Sequence, residues 1–104
     1  MGMTQELSDA ELVRRARRGE LEAYEQLVQR YQGLVTRVAF VITGELGDAE
    51  DVAQEALIKA YAALGRVQPD LFRPWLLRIV ANEARNLRKA ARRHAMALAN
   101  CCAT

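Results

Sequence analysis

The chain has 104 residues, of which 51% are hydrophobic, 27% are charged and only 2 are proline. This composition fits one compact folded domain and excludes a disordered chain or a disulfide scaffold. No apolar run approaches the about 20 residues that span a bilayer, and the N-terminus has no basic and apolar signal segment. We therefore expect a cytoplasmic protein without membrane insertion.

Charge is distributed unevenly along the sequence. Residues 1–65 carry 7 Lys and Arg against 11 Asp and Glu, a net charge of −4. Residues 66–104 carry 8 basic residues against 2 acidic ones, a net charge of +6. This order indicates two contact surfaces, of which the basic one suits a polyanion and the acidic one a basic protein.

Two helices are predicted on either side of Gly19. The first begins at Ser8, because Ser8 and Glu11 have the spacing of a capping box, and it is expected to be short and peripheral. The second runs from Leu21 to Thr43 and is followed by Gly44, a common residue beyond helix C-termini. Apolar residues recur along it at steps of three and four and predict the main core helix: Tyr24, Leu27, Val28, Tyr31, Val35, Val38, Ala39 and Ile42.

The third predicted helix begins at Asp48, an N-cap candidate, and ends at Leu64 with Gly65 beyond it as the stop signal. Leu57 and Tyr61 flank a core-facing stripe made of Val52, Ala56, Ala60, Ala63 and Leu64. Four residues at i, i+3, i+4 and i+7 form another side, called here the acidic face: Asp51, Gln54, Glu55 and Ile58. This face is either a docking surface or a solvated face whose acids satisfy the helix dipole, and the second interpretation leaves Ile58 unexplained.

The last predicted helix opens at Phe72 or Arg73 and runs to about Met96. Its inward residues follow helical spacing: Leu76, Ile79, Val80, Ala84 and Leu87. The remaining surface, called here the basic face, combines cations and amides: Arg78, Asn82, Arg85, Asn86, Lys89, Arg92 and Arg93. Arg and Lys neutralise phosphates and Asn can bond base edges, so nucleic acid is favoured over a merely solubilising face.

These elements predict an all-α fold, a compact bundle of about four helices over residues 8–96. Residues 1–7 are expected to form a flexible N-terminus and residues 97–104 a linker stub. The segment Arg66–Leu71, called here the Pro69 loop, is the irregular connection between the acidic and the basic face. Its Asp70 would accept a bond from a base amine or form a turn. At its end, Trp75 is expected mainly in the core, and Phe72 is a candidate to stack on a single-stranded base.

The sequence offers no catalytic or metal-binding constellation. Cys101 and Cys102 are adjacent, which predicts reduced thiols, and His94 is the only histidine and cannot complete a zinc site. No nucleophile and base are paired, and no Gly-rich phosphate loop follows a strand. We expect no enzymatic activity, no metal and no cofactor.

Three segments occur in a specific order: SDAELVRRARRGELEAYEQLVQRYQGLVTRVAFVITG, then DAEDVAQEALIKAYAAL, then FRPWLLRIVANEARNLRKAARR. Over about residues 8–95 this order resembles region 2 of a bacterial sigma factor of the extracytoplasmic-function group. The spacing of DAEDVAQEALIKAY before WLLRIVANEARN carries the resemblance more strongly than either charged face alone.

The resemblance implies two sets of contacts. In that family the third helix docks on the clamp helices of the largest subunit of core RNA polymerase, which implies this role for Asp48, Asp51, Gln54, Glu55 and Ile58. The loop and last helix recognise and open the upstream, minus-ten promoter element and capture an unstacked base of the non-template strand. By position, DNA contacts fall on Arg66, Asp70, Phe72, Arg73, Trp75, Arg78, Asn82, Arg85, Asn86 and Lys89. An anti-sigma factor is a further implied partner.

Complete factors of this family continue into a second helical domain, so the chain is expected to be an excised domain with incomplete promoter selectivity. Two other classes stay open on the residues alone. One is a helix-turn-helix regulator whose last helix reads duplex DNA in the major groove, against which the acidic face argues. The other is a helical adaptor that binds only protein, with a solvated basic face.

Overall fold

A computed structural model describes residues 7–102 of the chain, with side chains described through residue 100. Four α-helices form within this part: α1 (Asp9–Arg17), α2 (Leu21–Thr43), α3 (Leu46–Ala62) and α4 (Phe72–Cys102). Two single 3-10 turns, Leu64–Arg66 and Pro69–Leu71, join α3 to α4, and no strand occurs among the described residues. The predicted all-α bundle of about four helices is confirmed. None of the helices described is long and apolar enough to cross a membrane.

Helix α1 begins as predicted, because the Ser8 side chain accepts a hydrogen bond from the Glu11 amide at 3.1 Å. Its expected peripheral position is wrong. The side chains of Leu12 and Val13 are completely buried, and α1 packs against α2, α4 and the segment before α4. The reason is its compact apolar stripe, which the neighbouring helices cover on three sides.

Helix α2 is the main core helix, as its periodicity predicts. Four of its large or branched residues are buried, together with two alanines: Tyr24, Leu27, Tyr31, Val35, Ala23 and Ala39. It ends where predicted. Gly44 adopts a left-handed conformation with φ of 76°, and its amide donates to the Phe40 carbonyl at 2.8 Å. A residue with a Cβ would be strained in this conformation, so glycine fits the stop.

Helix α3 begins at Leu46, two residues before the predicted N-cap at Asp48. Glu45 is the actual cap, since its carboxylate accepts the Asp48 amide at 2.6 Å, and Asp48 lies within the first turn. The helix ends at Ala62 rather than Leu64, because the chain tightens into a 3-10 turn in which the Arg66 amide donates to the Ala63 carbonyl at 2.9 Å. Gly65 does not have a positive φ, so it is not a left-handed stop.

The core-facing stripe of α3 is confirmed, with Val52, Ala56, Ala60 and Leu64 buried. Most of its members are alanine, which lets α3 approach both α2 and α4 closely. Tyr61 stays 44% exposed and lies over Tyr24, with ring centroids 4.9 Å apart. The exposed Tyr61 side chain on α3 therefore lies directly beside α2.

Helix α4 begins at Phe72, as predicted, but continues to Cys102 instead of ending near Met96. Residues 97–102, expected to be a linker, are therefore helical, whereas residues 1–6 and 103–104 lie outside the described part. No Gly or Pro follows Pro74, and the Ala-rich sequence after Leu87 favours continued helix. From residue 88 to residue 100 every side chain is exposed, so this part of α4 extends beyond the bundle.

Candidate functional site

An open groove of about 930 Å³ runs between α2 and α3. Three residues of the predicted docking set line it: Asp51, Gln54 and Ile58. Ile58 is 64% exposed and lies near the exposed side chains of Leu21 and Tyr61, so the groove carries a small exposed apolar patch. The opposite wall and floor are largely apolar, from Leu21, Tyr24, Val28, Leu57 and Tyr61. The groove can therefore hold a helical or extended protein segment through apolar contacts with an acidic and amide rim.

The five residues of the predicted docking set are all exposed on α3, but two of them lie outside the groove. Glu55 does not line the groove, and its charge instead contributes to raising the pKa of the neighbouring Lys59. Asp48 lies in a separate depression at the far end of α3, where Arg88 and Arg92 of α4 are also found. Leu21 and Tyr61 belong to the groove and are absent from the predicted set. Their exposure next to Ile58 depends on how α2 packs on α3, so the α3 pattern alone does not reveal them.

One ion pair joins the helix of the acidic face to the helix of the basic face. The Lys59 ammonium donates to the Glu83 carboxylate at 2.6 Å. This hydrogen bond is the main cause that raises the pKa of Lys59 above its usual value. Because Glu83 is the only acid among residues 72–104, the pairing leaves the exposed side of α4 purely basic and amide-rich.

The basic face is exposed along α4. Arg73, Arg78, Asn82, Arg85, Asn86 and Lys89 all have exposed side chains. Arg85 donates from Nη1 to the Asn82 Oδ1 at 3.1 Å, so a guanidinium and an amide of this face are held together. Arg88, in contrast, donates to the Ile42 carbonyl at 3.2 Å and fastens α4 to the end of α2. The structure thus separates cations that face solvent from one that has a packing role.

The Pro69 loop is fixed to the core at its inner positions and exposed between them. Val67 is buried, as is Leu64 just before the loop, while Arg66, Gln68 and Asp70 are exposed. Leu71 is 51% exposed and was not singled out by the sequence. A polar and an apolar side chain are therefore presented together at the end of the basic face.

The expected stacking role of Phe72 is wrong in this arrangement, because its side chain is only 1% exposed. Its ring lies between Tyr31 and Trp75, with centroid distances of 5.8 and 5.9 Å. The first turn of α4 points inward at this position, where α1 and α2 converge, so Phe72 fills the core below the loop. Trp75 is half-buried against the same cluster, in agreement with its expected core position.

The sequence profile of the family described as Sigma-70 region 2 matches residues 27–94, which cover most of α2, all of α3 and most of α4. The chain belongs to this family. Helix α1 lies outside the matched range, although it packs against α2, α4 and the two 3-10 turns between α3 and α4. The resemblance found in the three sequence segments is thus confirmed.

Two curated relatives place the chain near the extracytoplasmic-function factors. The RNA polymerase sigma-H factor of Pseudomonas aeruginosa is 44% identical over 85 residues, and the match covers 81% of this chain and 44% of the relative. The ECF RNA polymerase sigma-E factor of Escherichia coli K12 is 42% identical over 87 residues, with the same two coverages. The chain therefore spans under half the length of the curated relatives it matches.

A solved structure shares the fold closely. It is the NMR structure of a complex formed by an engineered region 2 of sigmaE with GTAAAA. The two chains are 40% identical and superimpose with a TM-score of 0.81, covering 88% of this chain and 97% of the other. The helical arrangement described above is thus that of a sigma region 2 domain.

Proposed function

We propose that the chain is a sigma factor domain that docks on core RNA polymerase and recognises and opens the minus-ten promoter element. The observation that carries the proposal is the close match to an engineered region 2 of sigmaE that was solved in complex with GTAAAA. The separation of an acidic, apolar groove from a basic face on one rigid bundle supports it, since the two surfaces suit a protein and a polyanion respectively.

The groove between α2 and α3 is the proposed polymerase contact. A helical partner such as the clamp helices of the largest subunit would place apolar side chains against Ile58, Leu21 and Tyr61. Basic side chains of that partner would pair with Asp51 at the rim. Buried apolar contact supplies affinity, and the acidic rim favours the correct orientation.

The Pro69 loop and the basic face are the proposed DNA contacts. Arg73, Arg78 and Lys89 would meet phosphates, whereas the Asn82 and Asn86 amides are suited to base edges. With Phe72 in the core, contact with an unpaired base would fall to Asp70 and Leu71, which are exposed at the end of the loop. Such contacts stabilise the melted state because they exist only when bases are unpaired.

Two finer parts of the proposal follow from the family. An anti-sigma factor would compete for the groove or the basic face, and the site of action would be the cytoplasm, where transcription takes place. Both were expected from the sequence, and both depend on the sigma factor role itself.

Strand preference tests the DNA half of the proposal. Fluorescence anisotropy at low salt would compare three matched oligonucleotides: the strand carrying GTAAAA, its complement, and the closed duplex. We expect the GTAAAA strand to bind tightest, and each well-formed hydrogen-bonded contact to a base edge to contribute roughly 1 to 3 kcal/mol of discrimination. Tightest binding to the duplex would instead indicate a helix-turn-helix regulator. If none of the three oligonucleotides binds in a salt-dependent way, the chain is a protein-binding adaptor.

Two substitutions refine the same assay. Lys89→Ala should weaken binding to every sequence and reduce the salt slope by about one unit, as expected of a phosphate contact. Asn82→Ala should mainly narrow the difference between GTAAAA and a permuted strand. Lys89 is the better phosphate probe than Arg85, because removing Arg85 would also release Asn82 from its hydrogen bond. An equal loss on both strands for Asn82→Ala would remove it from base recognition.

A further inference from the structure

Arg17, near the end of α1, is bound to the segment that carries the Pro69 loop. Its Nε donates to the Leu64 carbonyl at 2.9 Å, and its Nη2 donates to the Val67 carbonyl. The two acceptors lie 47 and 50 residues further along the chain. One guanidinium therefore joins the first helix to both ends of the 3-10 turn at Leu64–Arg66.

The bonded carbonyls lie beyond the end of α3, where the backbone has left the regular pattern of α-helical hydrogen bonds. Such carbonyls require another donor when they are shielded from solvent, and an arginine can supply two at fixed spacing. The side chains of the same two residues, Leu64 and Val67, are buried in the core. The turn is thus fixed by the buried side chains of Leu64 and Val67 and by the hydrogen bonds from Arg17 to their carbonyls.

This fixation ends just before the exposed part of the loop. Gln68 follows Val67 directly, and Leu71 precedes the fully buried Phe72, so the four residues from 68 to 71 span two anchored points. The Leu71 amide donates to the Gln68 carbonyl at 2.8 Å and closes this span into a second tight turn. Its conformation depends on how firmly the anchor at Val67 is held.

We infer that Arg17 is a positioning residue for base recognition, which holds the Pro69 loop in the conformation that an unpaired base meets. The inference rests on the proposed function. A loop that is ordered before binding loses less conformational entropy when the strand is bound, and it presents Asp70 at one place rather than many. Arg17 would therefore affect the preference for one base over another more than the affinity for the phosphate backbone.

Arg17→Lys is the decisive variant, because it keeps the charge but cannot donate to two carbonyls with a planar fork. Arg18→Lys is the matched control, since Arg18 is the exposed neighbour at the same helix end. Val35→Ala is a second control that lowers stability by truncating a fully buried side chain of α2, remote in sequence from the loop. All variants are compared by circular dichroism first, at a temperature where each is folded.

The measured quantity is the spread of Kd, the ratio of the largest to the smallest value, over a panel of strands. The panel consists of the GTAAAA strand and strands with one base changed at each position. We expect Arg17→Lys to narrow this spread about threefold to tenfold, the range given by a few disordered loop side chains. The salt slope should not change, because charge is retained. Amide hydrogen exchange of residues 66–71 should accelerate in the same variant, while both controls keep the wild-type spread and loop protection.

The outcomes separate this inference from the proposed function. If the wild-type protein shows no spread over the panel, the proposed base recognition fails and the inference fails with it. If the wild type discriminates and Arg17→Lys discriminates equally, the positioning role is overturned while the proposed function stands. A narrowed spread in Val35→Ala as well would show that general stability, and not Arg17, sets the discrimination.

Discussion

Two tyrosines of α2 place their hydroxyl groups at the border of the core. The Tyr24 hydroxyl donates to the Leu57 carbonyl of α3 at 2.5 Å, and the Tyr31 hydroxyl donates to the Asp9 carboxylate of α1. Burial is the main cause that raises the pKa of both tyrosines to about 12, and the bond to Asp9 adds to the effect at Tyr31. Each hydroxyl therefore ties α2 to a different helix only while it is protonated.

The raised pKa values predict a loss of stability in alkali. Since the folded state holds these protons more tightly than the unfolded state, their contribution is complete below pH 10 and is lost between about pH 10 and pH 12. Tyr24→Phe should lower the free energy of unfolding by about 1 kcal/mol at pH 8, because the Leu57 carbonyl loses its donor. Its stability should then fall less steeply with pH than that of the wild type.

Urea unfolding of both proteins at pH 8, 10 and 11 checks this prediction. Titration of Lys59, whose pKa is raised by Glu83, affects the two proteins alike, so it cancels in the difference. Parallel stability curves would contradict the assignment of the alkaline loss to Tyr24.

Phe72 shows why residues beside an irregular segment were harder to predict than residues inside a helix. Helical periodicity assigns a side to residues inside a helix, but Phe72 is the first residue of α4, next to an irregular segment without a period. Aromatic type and basic neighbours suggested stacking, whereas the convergence of α1 and α2 beneath it decides its burial. Trp75, one turn further on, was expected mainly in the core because large aromatic side chains usually anchor small cores, and it is half-buried there.

At the scale of elements, the sides of the helices were predictable and some of their ends were not. The core-facing stripe of α3 was predictable because apolar residues recur along it at helical spacing. Its start depends on which of two nearby acidic residues caps the helix, and the cap is Glu45, whose carboxylate accepts the amide of Asp48 three residues further on. The importance of α1 was missed because nine residues contain too few turns to reveal how many neighbours cover them.

The exterior of α3 carries a prediction about polymerase binding. Ile58→Glu should strongly weaken capture of the clamp-helix fragment of the largest polymerase subunit, because it places a charge in the apolar part of the groove. Glu55→Lys should have the smaller effect, since Glu55 lies outside the groove. The structure predicts this difference in capture between the two variants, whereas the sequence pattern places both residues on one face and predicts equal effects.

Val41→Glu is the matched control for this experiment. Val41 is 83% exposed on α2 and does not line the groove, so it reports the effect of adding an acid to an exposed apolar position. Helicity is measured for each variant by circular dichroism. Capture by Ile58→Glu equal to that by Val41→Glu would contradict docking through the groove.

The whole molecule is elongated, with extents of 68 × 29 × 19 Å and a radius of gyration of 17.1 Å. A compact domain of this length has a radius of gyration of about 13 Å. The excess comes from α4, whose exposed part after Leu87 extends away from the bundle. Its helicity depends on local propensity alone, and isolated helices of this length are marginal in water.

Hydrogen exchange should therefore fall into two classes along α4. Amides between Leu76 and Ala84, which pack in the core, should exchange only by global or near-global opening. Amides from about residue 90 to residue 100 should exchange close to the rates of an unstructured chain. Exchange measured by NMR on the free domain checks this, and equal protection in both parts would show that the extension is stabilised by contacts not described above.

The two surfaces of the molecule were predictable to different degrees. The basic face lies on one continuous helix, so charge and spacing were sufficient to locate it. The groove needs Leu21 and Ile58 to lie together although 37 positions separate them in the chain. Such a pairing is a product of helix packing, and no local pattern encodes it.

The ion pair between Lys59 and Glu83 has a mechanical consequence. It joins α3 to α4 at the surface, beside a core in which no described buried polar side-chain atom lacks a partner. A protein partner bound on α3 and a DNA strand bound on α4 would then be attached to one domain, so that an assembly of the two would bind bivalently. The first attachment raises the local concentration of the second without reshaping its site, and the gain is set by distance and orientation.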